Sequence, residues 1–100
     1  MSISVIQIHR FHAAFLGEGR RWAVYALGGR RDDDRWIGWL EFEDVHGEAR
    51  ATGRETTQPS FDALVYWATG IEPTYLEGAF TRAVAIPMPG APPTGERLVA

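Results

Sequence analysis

The chain of 100 residues contains no cysteine, which excludes disulfides, thiolate zinc sites and cysteine nucleophiles. Long apolar runs are also missing. The segment from Ile3 to Ile8 is interrupted by Ser4 and Gln7, so it lacks the roughly 7–15-residue apolar core of a signal peptide. Nothing approaches the ~20 apolar residues of a membrane-spanning helix. On these grounds we expect a cytoplasmic protein with no membrane partner. Serine is scarce: Ser2, Ser4 and Ser60 are the three present, none within a G-x-S-x-G nucleophile elbow. All ten basic residues are arginine and the net charge is −3. Arginines alternate with acids, as where Arg30 and Arg31 run into Asp32, Asp33 and Asp34. No basic block stands alone, so the electrostatic footprint of a phosphate-backbone binder is missing and nucleic acid is not an expected partner.

What is present describes a folded domain. Hydrophobic residues make up 45% and charged residues 23%, both near globular averages. A chain of this size buries ~60–70% of its unfolded surface, enough for one core. We expect an α+β fold over residues 1–84: a four-stranded antiparallel meander followed by two short amphipathic helices packed on one face. A flexible Pro/Gly-rich tail is expected over residues 85–100.

The first strand is expected from Ile3 to Leu16, with Ile6 and Ile8 on one face and Phe11, Ala13 and Phe15 on the other. A bulge or bend near His9 to His12 would produce that change of face. Gly17 to Gly19 form a turn. The next strands are expected at Trp22 to Leu27, Trp36 to Glu43 and Glu48 to Thr57, the last a small and charged edge strand. Gly28 and Gly29, like Gly17 and Gly19, suit hairpin turns better than a phosphate-binding loop. Pro59 ends the extended chain. Ser60 is then a plausible N-cap, and Phe61, Leu64, Val65 and Ala68 recur at helical spacing up to Gly70. A second helix starts near Pro73, a favoured first helical residue, with Leu76, Ala79, Phe80 and Ala83 on its apolar face. Beyond Ala85 four prolines and two glycines remove any periodicity.

The sheet carries more apolar surface than two helices can cover. Trp36, Gly38, Leu40 and Phe42 share one face, while Ile37, Trp39, Glu41 and Glu43 share the other. Neither face of the strand Trp22 to Leu27 is polar. Either the long first strand folds over the second face, or the patch is used for contact. We therefore expect a non-enzymatic interaction domain that pairs with itself as a homodimer or with another protein, through Trp22, Tyr25, Ile37 and Trp39.

Chemistry-bearing constellations are sparse. His9 and His12 point to opposite faces of a strand unless a bulge intervenes, so no metal site is expected, and no cofactor. Asp32 to Asp34 lack the spacing of a calcium loop and read as a solvated hairpin. Glu41 and Glu43, about 7 Å apart by strand geometry, read as solubilising acids at a strand end. The alternative to an interaction domain is a small-molecule or anion-binding protein, or a small enzyme. Its polar site would involve Arg54, Glu55 and Ser60 at the N-terminus of the first helix.

Overall fold

A computed structural model describes residues 5–100; the expected start of the first strand at Ile3 lies outside the described residues. The chain forms seven strands, β1 (Ile6–Arg10), β2 (Phe15–Gly17), β3 (Arg20–Arg30), β4 (Trp36–Glu43), β5 (Ala49–Ala51), β6 (Thr56–Gln58) and β7 (Val84–Ile86). Between β6 and β7 lie α1 (Phe61–Thr69) and α2 (Pro73–Arg82). The fold is α+β, and every strand pairing is antiparallel. The order is β1-β3-β4-β5-β7, with β2 also on β3 and β6 also on β4.

The expected count of four strands is corrected to seven: two expected strands each break in two, and β7, where the tail was expected to begin, adds a strand paired with β5. The expected first strand breaks at Phe11–Ala14, leaving β1 and β2 to pair with different stretches of β3. The expected fourth strand breaks around Gly53, so that β5 and β6 pair with opposite ends of β4. Ser60 caps α1, its Oγ accepting the Ala63 N–H at 3.1 Å, and Pro73 opens α2. Both helices cover one face, burying Trp22, Val24, Ala26, Leu40 and Phe42 with Leu64, Ala68, Leu76 and Ala79. Leu64 reaches the sheet over Gly28 and Gly38, which are paired across β3 and β4.

The second face is covered by the chain's own C-terminal segment. After β7 the chain crosses the sheet and finishes against the β3–β4 hairpin. There Val99 N–H donates to the Arg30 carbonyl at 2.8 Å, and Leu98 bridges to Arg31. Leu98 and Ile86 pack with Leu27, Ile37, Trp39 and Ala51. Ile37 and Trp39 have no exposed surface at all. The tail expected to be mobile is therefore a strap. Its prolines preclude regular structure but not packing, and one leucine with a few backbone bonds anchors it.

Candidate functional site

The contact patch expected at Trp22, Tyr25, Ile37 and Trp39 is not assembled as an exposed surface. Trp22 lies on the helix-covered face, fully buried. Its indole N–H donates to the Gly17 carbonyl at 3.0 Å, and Arg20 and Arg50 lie over its ring. Ile37 and Trp39 lie beneath the strap. Of the four, Tyr25 alone keeps exposed surface, and it is half-buried.

The anion site expected near α1 is also not assembled. Glu55 accepts from both the Tyr75 hydroxyl and Arg82; burial, then that carboxylate, push the Tyr75 phenol up to about 12. Arg54 pairs with Glu96 at 3.4 Å and donates to Thr57, and Ser60 is engaged as the helix cap. The group that should receive an anion thus presents an occupied carboxylate. His9 stacks edge-on against Phe11, and among the described residues no three potential ligands gather for a metal. No helix among them is long and apolar enough to cross a membrane.

A different arrangement emerges from strand register. In β1 a bulge between Gln7 and His9 inserts one residue against β3. Ile8 then stays with the helix-side core, while Arg10 pairs with Tyr25 and so shares its face. Without the extra residue, alternation would have put Ile8 and Arg10 on the same side. The Arg10 guanidinium lies 5.6 Å from the centre of the Tyr25 ring, a cation–π arrangement that fixes both side chains. On β3 the same face carries Arg21, Ala23 and Tyr25. Register then brings Glu43 opposite Ala23 and Glu41 opposite Tyr25.

Ala23 is the small residue in this set, and its short side chain leaves a depression. The resulting cleft, about 380 Å³, is lined by Arg10, His12, Arg21, Tyr25 and Glu43, with Val45 at its rim. Asp44 fixes that rim by accepting the Glu48 and His46 N–H groups at 2.8 and 3.0 Å and Arg20 at 2.7 Å. Burial would raise its carboxyl, but those donors outweigh it and hold Asp44 below the ordinary carboxylate range. A second cleft of about 280 Å³ adjoins, sharing Tyr25 and Glu43 and adding Gln7, Glu41, Pro89 and Gly90 of the strap.

Charge in this region is not internally neutralised. Six of the ten arginines, namely Arg20, Arg30, Arg31, Arg50, Arg54 and Arg82, form ion pairs. Arg10 and Arg21 have no ion-pair partner among the described residues, nor does the half-buried Glu43, although all three line one cleft. Arg10 and Arg21 are eleven positions apart in a chain dense with arginine, so their convergence leaves little trace in the sequence. The one clue was the slipping face pattern of the first strand, which announced the bulge.

Glu41 corrects an expectation. Its side chain is 2% exposed and accepts the Gly90 N–H at 2.7 Å, so it holds the strap rather than solubilising the strand. Burial pushes its carboxyl above the ordinary value near 4.5; the Gly90 N–H opposes this, and neighbouring Glu43 adds to it. A raised folded-state value means the linked stability is complete below the ordinary value and is lost as pH rises through the raised one. Glu41→Gln removes the ionisation and keeps an oxygen to accept from Gly90. The melting temperature of this variant, minus that of the wild type, should therefore be larger at about pH 8 than at about pH 4. A difference independent of pH would show that Glu41 carries no such linkage.

The chain matches no protein-family model, no curated protein and no solved structure. The fold defines a small single-sheet α+β domain, and its chemistry has to be read from the cleft itself.

Proposed function

We propose that the protein is a small-ligand-binding domain that takes an anionic ligand in the cleft floored by Ala23. The observation that carries this reading is that two arginines without an ion-pair partner among the described residues, Arg10 and Arg21, line one concave site. Most arginines elsewhere in the chain are neutralised by an acid. Arg10 is already oriented by Tyr25, so less side-chain freedom is lost on binding. Tyr25, Ala23 and Val45 add apolar lining, the usual mixture for a small-molecule site. Assembly through Ile37 and Trp39 loses its motive, because the strap already occupies that face.

Hydrogen bonds to charged groups contribute ~1.5–3 kcal/mol, so losing either guanidinium should weaken binding about tenfold or more. Calorimetric titration of butyrate, caproate and inorganic phosphate into the wild type, Arg10→Gln and Arg21→Gln tests this. The reading expects at least one anion to bind the wild type and both variants to bind it at least about tenfold more weakly. Unchanged affinity in both variants would refute it.

A further inference from the structure

The same cleft holds opposite charges apart, and this narrows the ligand beyond an anion. We propose that the site binds a small zwitterion, with its anionic group at Arg10 and Arg21 and a primary ammonium group at Glu43. This rests on the cleft being the binding site. Arg10 stands on β1, opposite Tyr25, and Arg21 on β3, whereas Glu43 stands on β4 opposite Ala23. β3 therefore lies between Arg10 and Glu43, and Arg21 is a diagonal neighbour of Glu43. Adjacent strands are ~4.8 Å apart and residues along a strand ~3.4 Å apart, so Arg10, two residues out of register with Glu43, starts about 12 Å from it at the backbone. No ion pair forms between them among the described residues, although side chains of this length pair readily elsewhere in the chain, as Arg20 does with both Asp44 and Glu48.

Glu43 has no cation beside it among the described residues, and an ammonium group supplied by a ligand would give it a charge-assisted partner. Glu43 also lies where the basic cleft meets the adjoining one, whose other carboxylate is the buried Glu41. The Gly90 N–H already occupies Glu41 Oε2, which leaves Glu43 as the accessible acid. The lining therefore changes from basic at Arg10 on β1 to acidic at Glu41 and Glu43 on β4, with Tyr25 and Glu43 shared by both clefts. An elongated molecule with separated charges bridges the two; a simple anion satisfies one end and leaves Glu43 as it was.

Titration of the full-length chain with γ-aminobutyrate, ε-aminocaproate, butyrate, caproate and hexylamine at fixed ionic strength tests the inference. The better of the two amino acids should bind at least about tenfold more tightly than its carboxylate counterpart and than hexylamine, one added charge-assisted contact being worth at least that ratio. Glu43→Gln should erase the preference over the carboxylate. Equal affinities for amino acid and carboxylate would overturn the zwitterion inference and leave the anionic reading standing. Binding of hexylamine as tightly as the amino acid, or no binding by any of the five, would likewise overturn the zwitterion inference; where none of the five binds, the anionic reading falls with it only if inorganic phosphate also fails to bind.

Discussion

Replacing Leu98 by aspartate should destabilise the protein by about 3 kcal/mol, through lost apolar burial and the cost of placing a carboxylate against hydrocarbon. Leu98 is 8% exposed and packs with Leu27, Ile37 and Trp39. It lies in a segment without regular structure, so an effect of this size requires the strap. Its release would expose Trp39, and tryptophan emission should shift to the red before global unfolding. The uncovered face should also make the variant associate with rising concentration, which sedimentation would detect. Met88→Asp provides the control: Met88 lies in the same segment but is 68% exposed, so its variant should stay within about 0.5 kcal/mol of wild type. Equal stability of the two variants in chemical denaturation would remove the strap from the account.

The second large effect is expected at Gly28. A Cβ there would stand 2.6 Å from Leu64 Cδ2 and 2.9 Å from the Ile37 carbonyl oxygen. Leu64 could adjust, but the Ile37 carbonyl belongs to the paired strand β4 and cannot rotate away. Gly38, paired with Gly28, is as crowded, with Leu64 and Trp67 each 2.8 Å from its notional Cβ. Together the two glycines form the notch in which α1 sits. Gly28→Val adds three carbons to that notch. Overpacking costs ~1–3 kcal/mol for smaller insertions, so a loss of about 3 kcal/mol or more is expected from the urea midpoint. Gly53→Ala is the matched control, since nothing lies within 4 Å of a Cβ there. A Gly28→Val protein as stable as Gly53→Ala would show that α1 does not rest on the sheet in this way.

Much of the fold follows from local pattern. The aromatic and aliphatic run Trp36–Glu43 between two turn segments identifies β4 to the residue, and Ser60 and Pro73 mark the starts of both helices because capping and first-turn chemistry are local. The bulge in β1 is readable from apolar residues changing face, though its position near Gln7 lies slightly before the expected bend. The strap was not readable. Its anchoring uses Leu98, Ile86 and single backbone bonds such as Val99 to Arg30, and none of these has a period. The apolar excess on Ile37 and Trp39 did signal that something covers that face. The sequence pattern carries no information about which segment does so.

The candidate cleft was less legible than the fold, for a geometric reason. Arg10, Arg21 and Glu43 belong to three strands, and they share a face only once the bulge has turned Arg10 and the β3–β4 register has set Glu43 opposite Ala23. A one-residue change in either register would send one of them to the helix-covered side. Conversely, Arg54, Glu55 and Ser60 are adjacent to a helix start in sequence, but each is already engaged within the fold. Local proximity suggested a site there; tertiary pairing had neutralised it.

The most direct test of the account is a two-dimensional amide NMR titration of the full chain with ε-aminocaproate. The account predicts shift changes concentrated at Arg10–Ala14, Arg21–Tyr25 and Glu43–Val45, the segments that line the cleft. Changes concentrated instead at Arg54–Ser60, or spread evenly over the arginine-bearing surface, would contradict it.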